Sequence, residues 1–194
     1  MNSAIVIKPL TAADRGRLEI LCRECTDFFE LVEGQPGGSE TAAEILGPLP
    51  SNVTFGAKSI FGLERGNELI GAVELLAGFP LPNEWYVGLL FLRPDARGAG
   101  AGTMAWENLR ERMKREGAVA ARLIVQKQNP GARRFWERQG FAVDKEIVAK
   151  VGKLESQAWQ LRLSFEAVAQ QGVAAFVGGA SNIRQRAARP NQSK

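Results

Sequence analysis

The sequence predicts an α/β fold built as one domain around a mixed, mostly antiparallel sheet, and three observations carry this. Short apolar segments of strand length alternate with longer segments whose apolar residues recur at helical spacing. One run, Trp85 to Leu92, is continuously apolar, as expected of a strand covered on both faces. It leads through a glycine loop and a helix into a further strand, a single crossover unit within an otherwise hairpin-like order. At 194 residues and 45% hydrophobic content, the chain suits one globular domain with a sizeable core.

In chain order, Ala4 to Ile7 reads as a strand and Thr11 to Glu33 as one helix starting near Thr11 or Asp14, broken by the glycines from Gly34 to Gly38. Thr41 and Glu44 form a capping-box pattern for a short helix that Gly47 and Pro48 terminate. Lys58 to Glu64 and Glu68 to Leu76 form a hairpin around Arg65-Gly66-Asn67, and Gly78 to Asn83 is a proline-containing loop. After the apolar run come the glycine loop and a helix over Thr103 to Glu116, with Ala105, Trp106, Leu109 and Met113 on one face and Gly117 as its stop. Val119 to Val125 is a strand. Asn129-Pro130 then opens a short helix, with asparagine as N-cap and proline at the first helical position. Gly140 ends that helix, Phe141 staples back onto it, and Phe141 to Lys150 and Gln157 to Leu163 are two final antiparallel strands.

Charge is concentrated at one end. Arg184, Arg186, Arg189 and Lys194 follow Ala180 with no acid among them and equal the whole formal charge of +4. Residues 166–194 therefore read as a basic, poorly ordered tail behind a domain over residues 1–165. The rest is electrically balanced, so nucleic-acid binding by the fold has no support, although a basic tail of this kind is compatible with anionic polymers. Ala4 to Ile7 is too short for a signal peptide and Gly172 to Ala180 too short to cross a bilayer, which sets the expectation of a cytoplasmic protein without a membrane partner. Cys22 and Cys25 share the apolar helix face with Leu18, Leu21, Phe28, Phe29 and Val32, which places them in the core. Zinc would want two further ligands in a chain that contains no histidine, so no metal is expected.

The run Arg97-Gly98-Ala99-Gly100-Ala101-Gly102 is the most informative stretch. Its glycines permit positive φ and close approach of a ligand, and the helix that follows presents free N–H groups at its positive end. A phosphate would be held there by backbone. A nucleotide-hydrolysing loop needs Gly-Lys-Ser/Thr at its end, whereas Gly102 is followed by Thr103 and Met104. A dinucleotide fingerprint starting at Gly98 would need glycine or alanine where Thr103 stands.

The loop resembles the acetyl-CoA loop of the GNAT superfamily of N-acetyltransferases, whose pattern Arg/Gln-x-x-Gly-x-Gly/Ala is met by Arg97, Gly100 and Gly102. The family's second pattern, Asn-x-x-Ala-x-x-Phe-Tyr followed by a charged stretch, Gly and Phe, reads here as Asn129, Ala132, Phe135, Trp136, Glu137, Gly140 and Phe141. The two motifs span Trp85 to Phe141, and the order of elements extends the resemblance to Ala4 through Phe165.

This resemblance implies a single GNAT-type domain with splayed central parallel strands flanked by helices. It implies acetyl-CoA as co-substrate, with the pyrophosphate on backbone N–H groups from Arg97 through Gly98, Ala99, Gly100, Ala101 and Gly102 to Thr103, and the pantetheine along Leu90 and Leu92. Asn129 would contact the pantetheine arm besides capping its helix, and Trp136 would pack against the cofactor where many relatives carry a tyrosine that protonates the leaving thiolate. The implied reaction is direct attack of a primary amine on the thioester in a ternary complex, with a main-chain N–H near Leu90 stabilising the oxyanion. In a chain without histidine, the acceptor-site or proton-handling candidates are Glu74, Glu84 and Tyr86. The amine would enter over Phe28 to Gly38 and Gly78 to Asn83, with Phe28, Phe29, Glu30 and Glu33 as an aromatic and acidic wall. Family habit implies a homodimer, and a non-catalytic acyl-CoA-binding module is the rival reading.

Overall fold

The computed structural model describes residues 4–49 and 57–165. The basic tail expected over 166–194, including Gly172 to Ala180, lies outside the described residues. The elements are β1 (Ile5–Pro9), α1 (Arg15–Glu24), α2 (Thr26–Glu33), α3 (Ser39–Leu46), β2 (Ala57–Arg65), β3 (Glu68–Ala77), β4 (Glu84–Leu92), α4 (Ala101–Arg115), β5 (Ala120–Gln126), α5 (Pro130–Arg138), β6 (Ala142–Val151) and β7 (Leu154–Ser164). The strands form one seven-stranded sheet in the order β1-β2-β3-β4-β5-β7-β6. Every neighbouring pair is antiparallel except β4 and β5, which are joined through α4 as the crossover unit requires. The mixed sheet is as the sequence predicts.

Two cores cover its two faces. Alternate strand residues such as Phe61, Val73 and Val87 pack against Trp106, Leu109 and Met113 of α4 and Trp136 of α5. Ile60, Ala72 and Phe91 pack against Leu18, Leu21 and Cys22 of α1, Phe29 of α2, and Ala42 and Ile45 of α3. No helix among the described residues is long and apolar enough to cross a membrane.

Helix boundaries depart from the sequence reading in three places. The segment expected as one helix is two, α1 and α2, divided at Cys25, whose N–H is shared between the carbonyls of Leu21 and Cys22 while the Thr26 hydroxyl donates to Arg23 O. That break lets Leu18, Leu21, Cys22, Cys25 and Phe29 all enter one core. Both thiols are buried as predicted, and burial first of all pushes them up, Cys22 to about 12 and Cys25 to about 11, so they are inert packing groups. Thr41 is not the N-cap of α3: the helix begins two residues earlier, and the Thr41 hydroxyl instead accepts from Gly38 N–H at 3.3 Å. Finally, α4 begins at Ala101 instead of Thr103. Asn129 caps α5 as predicted, accepting from Ala132 N–H at 3.0 Å.

Candidate active site

The parallel ladder between β4 and β5 is short, with pairs Glu84↔Ala120, Trp85↔Ala121 and Tyr86↔Arg122 only. Beyond Tyr86 the strands separate into a wedge, and β5 continues paired to β7. Its effect shows in burial: Gly88 is exposed and Leu89, Leu90 and Leu92 are partly exposed, although β4 is the central strand of the sheet. The β5-facing edge of β4 beyond Tyr86 thus offers unpaired main-chain groups, flanked by leucines, to an extended ligand.

The glycine loop lies at the mouth of this wedge. A turn over Pro94–Ala96 leads to Gly98 at φ 77° and Gly100 at φ 83°, the left-handed region that side chains resist. Gly100 caps α4, whose first intrahelical bond runs from Met104 N–H to Gly100 O, so the N–H groups of Ala101, Gly102 and Thr103 are the helix's outward donors. No atom lies within 4 Å of a Cβ built on Gly98 or Gly100, which leaves the loop open for an anion. Gly102 serves packing instead: a Cβ there would stand 3.4 Å from the Phe135 ring, so the glycine lets α4 and α5 approach.

The Arg97 side chain does not extend towards the loop's open side. Its Nε donates to Leu92 O at 2.9 Å, and its two terminal nitrogens grip the Asp27 carboxylate, one of them at 3.0 Å. The guanidinium holds Asp27 below the usual aspartate range. Asp27 lies in the first turn of α2, so this bidentate pair ties the loop to the opposite helical layer. Both partners are partly exposed and the pair is worth ~1 kcal/mol or less to global stability. Asp27→Asn is therefore expected to leave melting almost unchanged while loosening the glycine loop, which faster amide hydrogen exchange over Gly98 to Gly102 measures.

The closed end of the wedge is pinned by charge. Glu84, expected as a proton-handling loop acid, is the first residue of β4 and only 2% exposed. Its Oε2 accepts from Arg122 Nε at 2.5 Å, and its Oε1 from Arg162 Nε at 3.1 Å and Nη2 at 3.0 Å. Arg122 continues to Asp144 at 2.6 Å, so one cluster clamps β4, β5, β7 and β6. Burial alone would raise the carboxyl, but the bonds from both arginines outweigh it and hold Glu84 below the usual glutamate range. This corrects the reading of Glu84: a carboxylate locked in its ionised form by two arginines is a strand anchor.

Glu74 and Tyr86 occupy the face covered by α1, α2 and α3. The register of β3 on β4 runs Glu74↔Leu89 and then Leu75↔Val87, so Gly88 is an extra residue, a β-bulge. The bulge reverses the strand's phase: Trp85 and Val87 face the α4 core before it, Leu90 and Leu92 after it. Over this bulge lies the Glu74 carboxylate, whose Oε1 would be 2.5 Å from a Cβ at position 88. Its Oε2 is 3.0 Å from Lys58 Nζ, which also donates to Glu44 O at 3.2 Å. Tyr86 packs edge-on against Phe79 at 5.5 Å, and burial, then the Glu74 charge, push its phenol well above the usual range. Tyr86 is a neutral phenol that cannot act as a base near neutral pH.

Two further expectations change with the structure. Trp136, expected against the cofactor, is 6% exposed and packs edge-on against Trp106, Phe135 and Phe141 within the α4 and α5 core. Its indole is part of that aromatic cluster, which joins α5 to α4. Of the proposed acceptor wall, Phe29 is fully buried against Phe28 and Phe91, so it supports the sheet. Glu33 is half-buried beside the β6–β7 turn at Gly152, and burial, then the Glu44 charge, raise its carboxyl. The C-terminal carbonyls of α2 are held by Gln126 Nε2 on Val32 O at 2.8 Å and by Lys153 N–H on Glu33 O at 2.8 Å. Gly88, Lys58 and Asp27 were missed in sequence; a lone glycine inside an apolar strand is the signal that points to a bulge.

The comparisons agree with this geometry. Residues 26–141 match the model of the acetyltransferase (GNAT) family. No curated protein matches the chain. Among solved structures, an acetyltransferase from Thermus thermophilus is 22% identical, with 85% of this chain and 100% of that one covered at a TM-score of 0.70. The PaiA N-acetyltransferase of Thermoplasma acidophilum, in complex with coenzyme A, is 19% identical, with 84% and 99% covered at 0.63. Arabidopsis thaliana Naa50, in complex with the bisubstrate analogue CoA-Ac-MVNAL, is 14% identical, with 83% and 99% covered at 0.61. With the wedge and glycine loop inside the matched segment, the chain belongs to the acetyltransferase (GNAT) family.

Proposed function

We propose that the protein transfers the acetyl group of acetyl-CoA to a primary amine, by direct attack of the amine within a ternary complex. The observation that carries this reading is the Glu74 carboxylate lying over the Gly88 bulge, at the point where β4 leaves β5. Acetyl-CoA supplies the activated acetyl group as a thioester. The chain supplies position and charge: loop N–H groups from Arg97 to Thr103 for the pyrophosphate, and the free edge of β4 at Leu90 and Leu92 for the pantetheine. A main-chain N–H near Leu90 faces the acetyl carbonyl and stabilises the charge that develops on its oxygen. Asn129 contributes its amide nitrogen, since its oxygen is engaged by the Ala132 N–H.

Of the three proton-handling candidates, Glu74 is the one whose surroundings suit the task. It is an acid reaching over the bulge, already holding a primary ammonium, whereas Glu84 is locked by arginines and Tyr86 is too weak an acid. An incoming ammonium takes the place of the Lys58 ammonium and gives Glu74 its proton before attack.

The test has two arms. Acetyl-CoA at about a hundred times its Kd stabilises the fold by about 3 kcal/mol, raising the melting temperature, while NAD and ATP at the same concentration do not. A panel of amines with acetyl-CoA then releases free CoA thiol. Stabilisation without thiol release from any amine would support the non-catalytic module instead.

A further inference from the structure

We propose that Lys58 is an internal acceptor: when no amine substrate is present, its ε-amino group takes the acetyl group from acetyl-CoA. The inference rests on the reading of Glu74 above. Lysine is rarely buried, and the Lys58 side chain is 14% exposed, compared with 58% for Lys8 and 36% for Lys127, which are also ion-paired. It springs from β2 and leans along the sheet, so that Nζ is fixed at two points, 3.0 Å from Glu74 Oε2 and 3.2 Å from Glu44 O. The other oxygen of the same carboxylate overlies the Gly88 bulge. A primary amine is therefore held against the carboxylate proposed to take the acceptor's proton, and that carboxylate links it to the Gly88 bulge of β4. Fixing a nucleophile in this way replaces a bimolecular encounter by an intramolecular one.

The step balances without another reactant. Glu74 takes one proton from the Lys58 ammonium and passes it to solvent; the neutral nitrogen attacks, a N–C bond forms and the C–S bond breaks. The second proton lost as the amide forms goes to the departing thiolate. The products are N-acetyl-Lys58 and free CoA. Acetylated Lys58 carries no charge and fills the place of an incoming amine, so the reaction is self-limiting and an external amine substrate protects against it.

The test is to incubate the full chain with acetyl-CoA and no amine, and to follow intact mass and peptide masses. The expected result is the mass of one acetyl group per chain, located on Lys58, with an equivalent of CoA thiol released. Glu74→Gln slows it about tenfold or more, and Lys58→Arg, which keeps the positive charge beside Glu74, abolishes it without lowering the melting temperature. Acetylation of Lys58 no faster than that of the exposed Lys145 and Lys150, or equal labelling in heat-unfolded protein, overturns the proposal. Thiol release with an external amine, together with an unmodified Lys58 in the incubation without amine, overturns it too, and leaves the amine acetyltransferase reading standing.

Discussion

Gly88→Ala is expected to fold normally and to lose about a hundredfold in the rate of acetyl transfer, since displacing a reacting group by ~1 Å costs about that much. Position 88 is outside the left-handed region of φ, so alanine strains no backbone, and the residue is exposed, so no core is overfilled. What the methyl meets is the Glu74 carboxylate, 2.5 Å from where the Cβ must stand. The carboxylate has to move, and Lys58 with it. Glu74→Gln removes the acid we propose as the proton acceptor and is expected to cost roughly 10²- to 10⁴-fold in kcat. Because both substitutions act on one group, the double variant should be no slower than Glu74→Gln alone. Steady-state rates of thiol release, with an amine from the panel that supports turnover, check this. Additive losses would place the action of Gly88 elsewhere.

The largest loss of stability is expected at Glu84. Removing one member of a buried ion cluster costs about 3–5 kcal/mol, because the remaining charges stay desolvated and unpaired. Glu84→Ala leaves Arg122, whose side chain is 16% exposed, with only Asp144, and Arg162 without its carboxylate. For a domain of this size the melting temperature should fall by about 10 °C. Glu111, paired to Lys114 on the exposed face of α4, is the contrast: Glu111→Ala should leave the melting temperature almost unchanged.

The pH dependence follows from the depressed Glu84 carboxyl. The folded state binds this proton less readily than the unfolded chain, whose ordinary value is 4.5. The cluster's contribution is therefore complete above that value and is lost as pH falls through the lower folded value. Wild-type denaturation midpoints should drop steeply on acidification below pH 4.5, and the Glu84→Ala protein should lack that part of the slope.

Glu84 and Glu74 also mark where sequence reasoning stopped. Both are acids in or beside apolar segments, and sequence alone ranks them alike. The structure separates them through partners distant in the chain: Arg122 and Arg162 lock one, while Lys58 and the bulge at Gly88 orient the other. The apolar run over β4 has no alternation to reveal a phase change, so the lone Gly88 is the signal of the bulge there. Trp136 shows the same limit, since helical spacing puts it on an apolar face without saying whether the neighbour is ligand or Trp106.

Local chemistry, by contrast, was legible. Asn129-Pro130 starts a helix, Gly98 and Gly100 take positive φ, and the glycine loop opens onto a helix N-terminus, because each depends on bonds and sterics within a few residues. The α/β class, the crossover unit, the anion loop and, through two spaced motifs, the family all follow from such short-range information. Which acid overlies the wedge, which one pins its closed end, and that Arg97 reaches Asp27 were settled only by the folded arrangement. Those contacts span 16, 38 and 70 residues of chain and are set by sheet register and packing, and no local propensity encodes them.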